Sequence, residues 1–271
     1  MNRSVRVLVG LAVLITMLSA AGCTKLKARD QLNKGVQSYK NAQYEAAIEH
    51  FKNAVALDPS LINARLYLAT AYAQQYIPGA DTEDNNRMGS QAIEEYKKVL
   101  EADPKNIGSV KGIAYLYLQM KNFDQAKEYY KKATEIDPND PEAYYSVAVI
   151  DWTQAYQMRM DARAKLGLKP TDMLNNKSDK KVCEAVKAAN SDKVEEGMTE
   201  LEKALQLRPD YDDAMAYLNL LYRERADYEC DDAQARAADL KTADEWVDKT
   251  LATKKAKADK ASGVGGIVMN K

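Results

Sequence analysis

Four times along this chain a small residue is followed four positions later by a large one and three positions after that by another small or slender one. A proline closes each stretch five residues further on. The sets are Ala47, Phe51, Ala54 and Pro59; Ala92, Tyr96, Val99 and Pro104; Ala126, Tyr130, Ala133 and Pro138; and Gly197, Leu201, Ala204 and Pro209. Spacings of four and seven put all three residues of a set on one helical face, with the small ones where two helix backbones approach closely. Proline lacks an amide hydrogen and disfavours helix in the residue before it, so it ends each helix. Before the third set, Val110, Ile113, Ala114 and Tyr117 form an apolar stripe at i, i+3, i+4 and i+7, and a turn falls at 120–123. Residues 107–140 thus read as one helix–turn–helix unit that the chain repeats.

This pattern resembles the tetratricopeptide repeat, a unit of about 34 residues. The resemblance implies an all-α solenoid of four to five helix pairs spanning residues 28–251. The prolines at 59, 104, 138 and 209 stand 45, 34 and 71 residues apart. Against a 34-residue period the second repeat carries about 11 extra residues and the fourth about 37. Insertions are accordingly expected near 76–89 and 166–189. Residues 76–89 read as a solvated loop. Asp81, Glu83 and Asn85 there mimic a calcium loop, but Asn86 stands where the turn needs glycine and Ala92 where the bidentate acid belongs, so no metal site is expected.

In the fourth repeat Tyr144, Val147 and Ala148 keep the first-helix pattern, Asp151 replaces the aromatic, and helical residues run to about Lys165. A loop from Leu166 to Asp179 and a short separate helix near 180–189 are expected before the second helix. Such inserts project from one face of a solenoid, either as its distinguishing working part or as inert elaboration. Ala233, Ala237, Leu240, Val247 and Leu251 make one stripe without a closing proline, as a capping helix does, with Trp246 available to cover the end of the core. Lysine-rich and then glycine-rich residues 252–271 read as a disordered tail.

The start of the chain carries Arg3 and Arg6, then an apolar run of about 15 residues, shorter than the roughly 20 that span a bilayer. Its end, Leu18-Ser-Ala-Ala-Gly-Cys23, resembles a bacterial lipobox with Ala20 at the position usually held by leucine. That resemblance implies a signal peptide over residues 1–22 and lipidation of Cys23. The alternatives are an ordinary secretory signal cleaved nearby or an uncleaved anchor. Residues 23–29 would be the lipid-anchored linker, six residues beyond the cysteine reaching at most about 20 Å. Thr24 in place of aspartate implies, by likeness to such lipoproteins, the periplasmic face of an outer membrane. Removing Arg3 and Arg6 takes the net charge of −1 to −3, which suggests no nucleic-acid partner. In an oxidising compartment Cys183 and Cys230 are candidates for a disulfide; the alternative is two free thiols.

In the tetratricopeptide family the first helices line a concave groove that takes peptides or helices. The groove positions here are Leu66, Thr70 and Gln74; Lys111, Tyr115 and Gln119; and Tyr145, Val149 and Trp152. Trp152 is the leading anchor, unless it packs against the insert. The lysine–asparagine clamp by which some members hold a C-terminal carboxylate is absent, since Leu32 and Val36 occupy the corresponding sites. No nucleophile–base pair, phosphate loop or metal-ligand cluster stands out, and the one histidine, His50, is alone on its helix. No catalytic residues, cofactor or small-molecule substrate are therefore expected. The expected protein is a membrane-held adaptor that binds a protein or peptide in the cell envelope, or alternatively a structural spacer whose groove is filled by its own chain.

Overall fold

The computed structural model describes residues 23–169 and 180–264, with side chains to 261. The signal peptide expected over 1–22, residues 170–179 of the fourth-repeat loop, and 265–271 lie outside the described residues. Those described form ten helices in chain order: α1 (23–40), α2 (Tyr44–Leu57), α3 (Ile62–Gln75), α4 (Glu83–Ala102), α5 (Ile107–Gln119), α6 (Phe123–Ile136), α7 (Pro141–Lys165), α8 (Lys180–Leu207), α9 (Asp212–Asp227) and α10 (Ala233–Val264).

The repeated residues are the core. Ala47, Phe51 and Ala54, Ala92, Tyr96 and Val99, Ala126, Tyr130 and Ala133, and Leu201 and Ala204 are all buried. Small residues are required where a ring meets the neighbouring helix. A Cβ on Gly35 of α1 would sit 2.4 Å from Phe51, and one on Gly112 of α5 would sit 2.6 Å from Tyr96. The turns between pairs repeat as well: Asp58, Asp103 and Asp137 each accept the backbone N–H two residues on, at 3.1, 3.3 and 3.1 Å. Asn106 and Asp140 then cap the helices that follow.

The chain divides into two compact units, one ending at Asn122 and the other beginning at Phe123. In the first unit, α2 packs on α3, α3 on α4, and α4 on α5. Residues 76–89 are not one loop. Thr82 caps α4, which begins at Glu83 and runs 20 residues against 14 in α2 and in α6. Buried Asn85 fastens the short loop, accepting from Ile77 N–H at 2.7 Å and donating to the Ile77 and Ala80 carbonyls at 2.9 and 2.7 Å. The extra residues mostly lengthen a helix, because an amide that satisfies both backbone groups of Ile77 makes the loop close early. The expected linker is helix too: residues 23–29 are the first turns of α1, with Ala28 already buried.

In the second unit the fourth pair is drawn out at both members. α7 runs 25 residues and ends at Lys165 as expected, but α8 is one unbroken helix of 28 residues, with no separate segment at 180–189. The separate helix fails because Cys183, Val186, Asn190 and Val194 continue the buried stripe of Met198 and Leu201 without a break. The lengthened pair packs along itself, with Asn190 donating to the Ala155 carbonyl at 2.9 Å. The structure joins Cys183 to Cys230, with Cα atoms 5.7 Å apart, tying the start of α8 to the turn after α9. α10 covers α9, and Trp246 packs on the core cluster. Residues 252–264, read as disordered tail, continue α10. Lys257 pairs with Asp212 at 2.5 Å, and Thr253 lies 3.5 Å from the Met215 sulfur.

Candidate partner-binding surface

The outward faces of the first helices are where a repeat protein of this build has side chains to spare. In the first unit the predicted groove residues lie on α3 and α5, which touch. Thr70 is committed to its own fold, donating to the Leu66 carbonyl at 2.9 Å and meeting the Tyr96 hydroxyl at 3.1 Å. Gln74 is exposed, Leu66, Lys111 and Gln119 are half-buried, and Tyr115 is 49% exposed. The sequence reading missed Tyr67, an exposed ring stacked on Phe51 at 5.6 Å.

In the second unit the predicted residues belong to something larger. Tyr145, Val149 and Trp152 lie at i, i+4 and i+7 on α7, and Tyr156 extends the row at i+11. Two tyrosines of the α9 segment complete it. Tyr217 stands perpendicular to both Tyr145 and Trp152, at 5.4 Å from each. Tyr211 lies 5.0 Å from Tyr145, and Trp152 stacks on Tyr156 at 5.2 Å. Trp152 therefore packs among rings of α7 and α9 and also borders the core cluster that includes Cys183 and Val186 of the insert. Five rings thus run from Tyr211 to Tyr156. Guanidinium groups close both ends, Arg208 over Tyr211 at 4.5 Å and Arg159 over Tyr156 at 5.3 Å. The spacing signal that gives Trp152 also gives Tyr156 one turn later; Tyr217 could be found only by aligning α9 with α7.

The row is electrically simple. Burial raises the phenols of Tyr145 and Tyr217, and raises Tyr211 to about 12, so all three are neutral hydrogen-bonding groups at ordinary pH. Asp213 lies near enough to all three to push them further up, and no ion pair engages it among the described residues.

Behind the row, α7 is held by buried charge. Arg159 pairs with Glu224 at 2.7 Å and with Asp227 at 2.8 Å, and Arg163 with Asp227 at 3.1 Å. Asp151, fully buried, meets Lys127 of α6, which also holds Glu196 of α8 at 2.6 Å. Such pairs add little net stability, but breaking one strands its partner, so they fix the azimuth of α7 and with it the direction of the rings.

Cys23 is exposed at the first turn of α1, followed by exposed Lys25, Leu26, Lys27 and Arg29. No described helix is long and apolar enough to cross a membrane. No group of three acidic, histidine or cysteine side chains among the described residues could hold a metal ion.

Paired antiparallel helices with a repeated small–large–small core define an all-α helical-repeat protein. Residues 88–150 match the family model of the tetratricopeptide repeat. The chain has the helical-solenoid fold of tetratricopeptide-repeat proteins. No curated protein matches it in sequence. Among solved structures it is similar to the MamA protein, with a TM-score of 0.58 at 14% identity over 86% of this chain and 94% of that one. A MamA fragment from Desulfovibrio magneticus RS-1 gives 0.56 at 16% identity over 85% and 96%. YrrB, described as a TPR protein with an unusual peptide-binding site, gives 0.53 at 16% identity over 88% and 97%. At these identities the likeness is one of fold.

Proposed function

We propose that this chain is a non-enzymatic lipoprotein of a bacterial envelope that binds a protein or peptide partner through the ring row of α7 and α9. The observation that carries the binding reading is the row itself. Tyr211 is buried at one end of the row, while Tyr145, Tyr217 and Trp152 stay half-buried and Tyr156 is 37% exposed, which leaves a continuous aromatic strip at the surface of α7 and α9. Rings of this kind give contact area at small entropy cost and dominate binding energies. The peptide-binding site ascribed to YrrB supports the same use of the fold.

Two observations favour the envelope. Cys23 ends a lipobox-like stretch and is exposed, and Cys183 is bonded to Cys230, a link that persists in oxidising compartments. Two or more acyl chains at about 0.8 kcal/mol per buried methylene would hold the protein on a membrane stably. The periplasmic face of the outer membrane is the location this reading assigns.

Affinity capture from solubilised envelopes tests the binding, comparing the intact protein with a Trp152→Ala/Tyr217→Ala variant of unchanged circular dichroism. The expected result is a partner retained by the first and lost by the second. Identical captured sets would refute the role of the rings. For the anchor, labelled palmitate should enter the wild type and not Cys23→Ser; label in both, or in neither, contradicts lipidation at this residue.

A further inference from the structure

Within the ring row, spacing and charge are more particular than a generic apolar strip requires. Tyr145 and Trp152 are seven residues apart on one helix, about 10.5 Å along its axis at a rise of about 1.5 Å per residue. Tyr217 touches both, its plane at 88° to one and 87° to the other. A polyproline II helix repeats every three residues, about 9.3 Å, and brings a proline at i and another at i+3 to the same side. Its backbone makes no internal hydrogen bonds, leaving carbonyls for which the Tyr217 phenol, itself accepting from the Tyr145 hydroxyl, is a donor. Val149, between the two rings on α7, supplies an apolar floor without a competing polar group.

Charge sets the direction. Beside Tyr145 and Tyr217 stands Asp213, exposed and outside any ion pair among the described residues, while the nearby lysine, Lys257, is held by Asp212. A cationic side chain entering there would meet a carboxylate and the faces of adjacent rings together.

We infer that the row formed by Tyr145, Trp152 and Tyr217 is a cradle for a proline-rich segment in the polyproline II conformation, with Asp213 receiving a basic residue that flanks the prolines. This rests on the partner-binding reading above and names the class of partner. Aromatic-lined grooves suit such ligands because the peptide is already ordered and little entropy is lost on docking.

The test is fluorescence anisotropy on the full chain with a labelled oligoproline of about nine residues, three turns, led by one arginine. One control has alternate prolines replaced by glycine, and another has the arginine replaced by glutamate. The expected result is binding at least about tenfold tighter than the glycine control and about threefold or more tighter than the glutamate control. Trp152→Ala should weaken the arginine-led peptide about tenfold. Asp213→Asn should abolish the difference between the arginine-led and glutamate-led peptides while leaving the preference over glycine. Equal binding of the glycine control, indifference to Trp152→Ala, or sedimentation showing the row occupied by a second copy of this chain would each overturn the inference. If the oligoproline fails to bind while envelope capture still loses its partner with the ring variant, this inference falls and the partner-binding reading stands. If both fail, both fall.

Discussion

Asp151 occupies the first-helix position where the second and third repeats carry Tyr72 and Tyr117. Burial pushes its carboxyl up to about 6, against the pull of the Lys127 ammonium. One of its oxygens, Oδ2, has no hydrogen-bond partner, so ionising this side chain costs the fold. The sign follows from linkage. An acid whose folded pKa lies above its unfolded value contributes stability that is present below the unfolded pKa and is lost as pH rises through the folded one. Urea midpoints of wild type and Asp151→Asn should therefore diverge between about pH 4 and pH 6, the wild type losing roughly 2 kcal/mol relative to the variant over that window. A pH-independent difference would show that Asp151 titrates normally. A second residue-scale prediction concerns Gly35, where an added Cβ would drive into Phe51. Gly35→Ala should cost about 1–3 kcal/mol by the same titration, against the small gain alanine brings to an ordinary helix position. The need for a small residue there was legible from the repeat. The ionic role of Asp151 was not, because its partner Lys127, and the Glu196 that shares that lysine, come from two other helices 24 and 45 residues away.

Among the elements, the α7–α8 hairpin departs furthest from the repeat, and it shares both the ring row and the disulfide with the α9 segment. Cross-linking two cysteines 47 residues apart restricts the unfolded chain by about 4 kcal/mol in the entropy model. Reduction, or Cys183→Ala/Cys230→Ala, should lower the urea midpoint of this unit accordingly; an unchanged midpoint would mean that the bond adds nothing to folding. The α4 entry offers a parallel test in the other unit. Asn85→Ala leaves the Ile77 N–H and C=O without their partner and should cost about 1–3 kcal/mol. Both elements show where reading a sequence stops. Excess length after the repeat period located the two insertions, since prolines keep count along the chain. Whether the excess becomes loop or helix depends on groups such as Asn85 and Asn190, whose partners lie on other segments. The same reasoning explains the tail: Lys254 to Lys260 look like solvated chain until Asp212, on α9, is seen beside Lys257.

For the molecule as a whole, the small–large–small pattern was enough to define the fold, because every member of it faces the core and nothing else in the repeat must be known. The binding surface was legible only in part. Tyr145, Val149 and Trp152 follow from helical spacing, yet the row exists only because α9 brings Tyr217 against two of them. On this account α7 and α9 present a ring surface to a partner while α10 closes the core with its polar outer face. The most direct measurement is photocrosslinking in living cells, with a photoreactive phenylalanine analogue in place of Val149 on the row and, separately, in place of Lys249 on α10. The account predicts a discrete cross-linked protein from position 149 that disappears in the Trp152→Ala/Tyr217→Ala background, and none from position 249. Cross-links from position 249 alone, or from position 149 undiminished by loss of the rings, would contradict it.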